Sequence, residues 1–497
     1  MNISARLDRR NLWHPFTQMR EWVRREPIVI VEGRGAVLRD ARGREYLDAN
    51  SSIWTNLHGH AHPLINAAIR GQLNRIAHSS ALGLANEPAS ALAAQLVKAA
   101  NPGIHDLRLA MDATGGAEFQ QTRPSPIVNR KLSRVFFSDD GSTALEAALK
   151  MAYEFARRSG RSRNPKFLSL TGAYHGDTIG AVSLGHIDLF HRRFSRLLFR
   201  SDEVMAPYCY RCPFNRARPE REDAREYRKC AWECVGKLER KLASQKKRGE
   251  PYSAFVFEPL MQGAAGMIPQ PSGWLSQAAA LARNHGALLI ADEVMTGFGR
   301  TGASASQLST PNSQLLFACH QEGVQPDLLC VAKGMTGGYL PMAATLASRE
   351  IFDAFLGEYE EFKTFFHGHS YTANQLGAAA SLASLKLLQG EASRRARRRL
   401  QETLRRELRR LWALPHVGDI RQVGLIAGIE LVRDWRTRKP FELRERAGTR
   451  VCEAMARQGV LTRPIGDVVV LMPPYCTTRE QLRRIVDVLH RSIGTLP

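Results

Sequence analysis

Five short apolar runs separated by helix-length segments constrain this chain more than any other feature. They are RVFFS (134–138), KFLSLT (166–171), SAFVFEPLM (253–261), ALLIADEVM (287–295) and DLLCVAK (327–333). Each has the length of a strand, and the stretches between them carry helical periodicity. Strands spaced this way pair in parallel through crossover helices, which predicts an α/β fold. In such sheets ligands collect at the carboxyl ends of the strands. The polar residues lie there: Asp139, Asp140, Tyr174, His175, Glu258, Asp292 and Lys333. Five strand ends delivering polar groups to one edge say more than any one of them alone.

The ends of the chain differ from this core. Residues 33–50 read as antiparallel strands around a glycine-containing turn, and residues after about 375 alternate helix and strand around GDIRQVGLIAGIELV (418–432) and DVVVLMPP (467–474). The expected division is a large domain over 61–375 and a smaller one built from 1–60 and 376–497. Polar excursions interrupt the pattern at 104–131, 205–250 and 303–315.

Lys333 stands where an apolar strand meets the glycine-rich turn KGMTGGYLP (333–341). A buried ammonium is costly and tends toward its neutral, nucleophilic form, so such a lysine either pairs with a carboxylate or attacks a carbonyl. The run SDDGSTALEAALKMA (138–152) passes from strand to helix through Gly141, Ser142 and Thr143. These residues offer a helix N-terminus to a phosphate, although a plain N-cap needs the same residue types. Pyridoxal phosphate requires both an amine and a phosphate cradle. Its ring also needs a carboxylate to keep the pyridine nitrogen protonated and an aromatic to stack upon. Asp292, at the end of a wholly apolar run, and Tyr174, after a strand and a glycine, suit those places. Asp292 also reads as a helix cap, and His175 as a polar turn residue.

With these blocks in the same order, the chain resembles the class III pyridoxal-phosphate aminotransferases of fold type I. The resemblance covers nearly the whole length outside the excursions. It is carried by WHPF (13–16), GHAHP (59–63), SDDGSTALEAALKMA (138–152), YHGDTIGAVSLG (174–185), EPLMQGAAGM (258–267), DEVMTGFGRTG (292–302), KGMTGGYLP (333–341), FHGHSYTANQ (366–375) and TRPIGDVVVLMPPY (462–475). Among the branches of the family, WHPF, YHGDTIG and RPIG…LMPPY point to the one that aminates 7-keto-8-aminopelargonate to 7,8-diaminopelargonate in biotin biosynthesis.

The resemblance implies a cofactor-bearing Lys333 that also carries the proton, Asp292 on the pyridine nitrogen and Tyr174 stacked on the ring. It implies Gly141 and Ser142 on the phosphate, with Ser370 reaching in from the second subunit of a homodimer. Arg463 would bind the substrate carboxylate, and Phe16 and Trp54 would line the substrate pocket. Many members of that branch carry tyrosine where this chain has Phe16, and a tryptophan pair where it has Ile53 and Trp54. Those walls read the amino donor, which is S-adenosylmethionine in most of the branch and lysine in some. An ω-aminotransferase acting on a diamine or ω-amino acid is the alternative.

Net charge is +22, from 70 Lys and Arg against 48 Asp and Glu, which raises nucleic acid as a partner. Much of the excess lies in SRRARRRLQETLRRELRRLWA (393–413), where Leu400, Leu404, Leu408 and Leu411 fall on one helix face and leave the arginines in water. No nucleic-acid motif accompanies it, so no nucleic-acid partner is expected. No apolar run approaches membrane-spanning length and no secretory signal opens the chain, so a cytoplasmic protein with reduced thiols is expected. Four of its eight cysteines, Cys209, Cys212, Cys230 and Cys234, form two close pairs separated by 17 residues. That spacing suits a structural zinc, and reduced loop thiols suit it equally.

Overall fold

A computed structural model of the chain describes residues 2–102, 131–302 and 315–497. The excursions 104–131 and 303–315 lie, apart from their last residues, outside the described residues.

The central sheet has seven strands in the spatial order Leu132–Ser138, Ala343–Ser348, Leu328–Val331, Leu288–Asp292, Ala254–Phe257, Phe167–Leu170, Asp202–Val204. Ala343–Ser348 runs antiparallel to both neighbours, and the other pairings are parallel. The four strands Phe167–Leu170, Ala254–Phe257, Leu288–Asp292 and Leu328–Val331 are buried at every position. Helices on both faces require this, and it explains why these strands read as continuous apolar runs. Helix Gly141–Arg158 packs against the sheet through Leu145, Ala148, Leu149, Ala152 and Ala156, all buried. Its start is fixed by a reciprocal cap between Asp140 and Thr143.

Both ends of the chain meet in one smaller sheet. Strands Ile30–Arg34, Val37–Asp40 and Glu45–Asp48 are antiparallel, and Val460–Leu461 joins Glu45–Asp48 in parallel, pairing Leu461 with Asp48. A third sheet holds the hairpin Val417–Val423 and Ile426–Leu431. Its turn needs Gly424, where φ is +60° and a Cβ would fall 2.1 Å from the carbonyl carbon of Thr301.

Helix Glu391–Leu408 buries Leu400, Leu404 and Leu408, and Leu411 is buried just beyond it. Its arginines are mostly exposed, as the leucine spacing requires. Among the described residues no helix is long and apolar enough to cross a membrane.

The zinc expected in the 205–250 excursion is not supported. Among the described residues no group of three or more His, Cys, Asp or Glu side chains is placed to hold a metal. Cys209 and Cys234 are buried as thiols, and burial pushes them up to about 12 and about 11. Arginine forks do the fastening that an ion would have done. Arg221 donates to the carbonyls of Trp412 and Val417 at 2.6 Å, and Arg211 Nε donates to Glu430 at 2.8 Å. Chelators should therefore leave the melting temperature of the protein unchanged in a thermal scan; a fall of several degrees with EDTA would restore the metal.

Candidate active site

A cavity of about 500 Å³ opens at the carboxyl edge of the central sheet, lined by Trp54, Gly141, Ser142, Tyr174, His175, Glu258, Asp292 and Lys333. One residue past strand Leu328–Val331, Lys333 starts the short 3-10 turn Lys333–Thr336 in a left-handed conformation, φ 43°. The chain can double back here because Gly338 sits at φ +86° against the Asn56 backbone, where a Cβ would fall 2.7 Å from Asn56 N and Cα. Burial holds the Lys333 amine below its ordinary range, against the opposing pull of Asp292 and Glu258.

Asp292 ends its apolar strand 5% exposed. Its Oδ2 lies 2.7 Å from Nδ1 of His175, and its Oδ1 accepts from the Val294 N–H at 3.0 Å. Burial alone would push His175 down; the hydrogen bond and charge of Asp292, with Glu258 behind, outweigh it and leave His175 raised. Glu258 accepts from the N–H groups of Tyr174 at 3.3 Å and Gly263 at 2.7 Å, and burial pushes it up to about 7. One lysine, one histidine and two carboxylates thus share a single patch, where environment shifts the proton affinities of Lys333, His175 and Glu258. The Tyr174 phenol, raised by burial and by the bond it donates to Asp177 at 2.7 Å, stays protonated.

At the other end of the cavity, Gly141 and Ser142 form the first turn of an 18-residue helix. Gly141 must lack a Cβ because one would meet Val294 at 2.7 Å, and at Gly176 one would lie 2.4 Å from Ser142 Oγ. These glycines let Val294 and Ser142 pack closely at the helix start, and the N-terminal turn, with its backbone N–H groups, the Ser142 hydroxyl and the helix dipole, lines the cavity at a place that suits an anion.

The family model described as aminotransferase class-III matches residues 18–493. The chain belongs to that family. Among class III aminotransferases it is 46% identical over 489 residues to the adenosylmethionine-8-amino-7-oxononanoate aminotransferase of Geobacter sulfurreducens, covering 98% of this chain and 97% of that protein. A crystal structure of the Methanocaldococcus jannaschii protein of the same name superposes with a TM-score of 0.84 at 36% identity, over 99% of each chain. The ω-transaminase of Pseudomonas jessenii in complex with PMP gives 0.82 at 25% identity, covering 99% of this chain and 98% of that one.

Class III aminotransferases imply pyridoxal phosphate, and this cavity fits it. It brings an amine of lowered proton affinity, a buried carboxylate and a helix N-terminus to one space, the kinds of group that the aldehyde, the ring nitrogen and the phosphate of that cofactor require. Three of the expected site residues lie elsewhere. Phe16 and Arg463 line an adjoining cavity of about 730 Å³ between the N-terminal segment and helix Ala447–Arg457. A chain of aromatic rings connects the two spaces, with Phe16 5.3 Å from Phe190 and Phe190 6.0 Å from Tyr174. Ser370 is exposed and does not line the cavity; its carbonyl lies 2.9 Å from His78 Nε2. Glu258 and His175 had no role assigned from the sequence, although both stand at strand ends or next to Tyr174.

Proposed function

We propose that this protein is a cytoplasmic homodimer that transfers an amino group to 7-keto-8-aminopelargonate, forming 7,8-diaminopelargonate in biotin biosynthesis, with S-adenosylmethionine or lysine as donor. The observation that carries the reading is the meeting of Lys333, Asp292 and the Gly141–Ser142 cradle in one cavity of a chain so similar to proteins of that name. In this reading residues 1–60 and 376–497 form the smaller domain.

Pyridoxal phosphate supplies the electron sink that lets a proton leave the carbon bearing the amino group. Lys333 would hold the cofactor covalently and, as a free amine, would carry that proton. Asp292, fixed by His175, would keep the ring nitrogen protonated, and Tyr174 would stack on the ring. Gly141 and Ser142 would hold the phosphate together with Ser370 of the second subunit. Trp54 and Phe16 wall the substrate space. Arg463 binds the keto acid's carboxylate; a substrate with its carboxylate and ketone near opposite ends suits two adjoining cavities.

The test is to mix purified protein, pyridoxal phosphate and 7-keto-8-aminopelargonate with each donor separately and assay diaminopelargonate. Product with one donor establishes the reaction and identifies the donor. No product, with turnover of diamines instead, would favour the ω-aminotransferase reading that the Pseudomonas jessenii likeness keeps open.

Replacing Arg463 by alanine should lower kcat/KM for the keto acid about 10- to 100-fold, the worth of hydrogen bonds to a charged group. Lysine there should recover part of the loss, because it keeps the charge without the planar fork. Steady-state kinetics with the keto acid varied would check both; an unchanged kcat/KM would remove Arg463 from the substrate site.

A further inference from the structure

The most strained backbone beside the cavity is residues 51–54. Ser51, Ser52, Ile53 and Trp54 take φ values of 46°, 47°, 64° and 68°, four left-handed residues in succession, none of them glycine and one β-branched. L-residues leave that region unless their surroundings hold them there. The holder is Asp48, the last residue of its strand and 3% exposed. Its Oδ1 accepts from the N–H of Ser52 at 3.0 Å and of Asn50 at 3.3 Å. Its Oδ2 accepts from Ser52 Oγ at 2.9 Å and stands 3.1 Å from His60 Nε2. The turn is also tied from outside, because Ser51 Oγ donates to the Met472 carbonyl at 2.6 Å and the Ala49 N–H donates to Leu461 at 2.9 Å.

What this turn delivers is Trp54. The indole faces Lys333, with Nζ 5.0 Å from the ring centroid, and packs against a buried cluster rich in methionine that includes Met261, Met295 and Met472. Its Nε1–H is buried with no partner among the described residues. A right-handed course from Asn50 would carry the side chain in another direction. Asp48 itself does not line the cavity.

We propose that Asp48 is a positioning residue for substrate selection, holding the left-handed turn so that the Trp54 indole forms the wall beside Lys333 against which substrates fit. The substrate side of this inference rests on the function proposed above; the placement of Trp54 does not. Loss of Asp48 therefore acts on fit rather than on chemistry. Asp48→Ala should raise KM for the keto acid about tenfold and leave kcat within about threefold. Combined with Trp54→Ala, it should add little to the effect of Trp54→Ala alone, because both changes remove the same wall. Effects that multiply, or a lower melting temperature with KM unmoved, would make Asp48 merely structural and overturn the proposal.

A second measurement needs no substrate. Bound pyridoxal phosphate quenches a nearby indole, and the share due to Trp54 is read by subtracting the Trp54→Phe protein. That share should fall in the Asp48→Ala background; an unchanged share overturns the proposal. If Asp48→Ala does not fold, Asp48→Asn, which keeps the acceptor for the Ser52 N–H, should give an intermediate loss in both readouts. If the parent protein does not use the keto acid, the substrate reading falls while the fluorescence difference still decides the role of Asp48.

Discussion

Lys333→Ala is expected to lower turnover by at least about 10⁴-fold, because in the proposed reaction it removes both the covalent holder of the cofactor and the base that moves the proton. Pyridoxal phosphate should then wash away on gel filtration, whereas the parent keeps it. Lys333→Arg is the stricter test. It preserves a cation near Asp292 and Glu258, yet a guanidinium does not deprotonate at working pH and cannot replace the amine. It should be as inactive as alanine. A Lys333→Arg protein retaining a tenth of parental activity would reduce Lys333 to an ion-pair partner, the plain alternative for a lysine at a strand end. The pH profile separates the two readings further. The working form is the neutral amine, and burial lowers its proton affinity. Activity should therefore rise with pH along a limb that lies below the 10.5 of a free lysine.

How much of this was legible in the sequence follows from how local each feature is. The runs holding Leu288–Asp292 and Leu328–Val331 announced their strands because a strand buried on both faces needs apolar residues throughout. Strand Ala343–Ser348 escaped notice because its sequence, AATLAS, is mostly small residues without the β-branched weight of its neighbours, and its antiparallel direction is a tertiary fact. The polar strand ends marked the site's edge, but the pairing of His175 with Asp292 spans 117 residues. No spacing rule reaches that far. The turn at Ser51–Trp54 was hidden for the opposite reason. Its residues, SSIW, carry none of the glycine or asparagine that normally announces left-handed backbone, because Asp48 imposes the conformation from outside. The cysteine pairs left zinc open beside reduced thiols because spacing is only one requirement of a metal site, and here arginine forks already hold the loop.

The second large effect is expected at Asp292, and it reaches stability as well as rate. Asp292→Asn keeps the size of the side chain and an oxygen for His175, but removes the charge meant for the cofactor's ring nitrogen. Turnover should fall roughly 10²- to 10³-fold, the loss typical of removing one preorganised stabiliser of developing charge. Asp292→Ala also leaves a buried histidine without its partner, which costs on the order of 3–5 kcal/mol for a broken buried pair. The pH dependence carries the argument furthest. His175 is raised above its ordinary 6.5 in the folded protein, so the stability it gains from Asp292 is fully present below that value and fades as pH rises through the folded one. Without Asp292, the downward push of burial on the imidazole is opposed only by the weaker, more distant charge of Glu258. The stability deficit of Asp292→Asn relative to the parent should therefore be larger near about pH 6 than near about pH 9. Urea unfolding at the two pH values measures it. A deficit of equal size at both would mean that the His175 contact contributes no charge–charge stabilisation. The dyad would then be a neutral hydrogen bond, and the ring-nitrogen role of Asp292 would have to stand on kinetics alone.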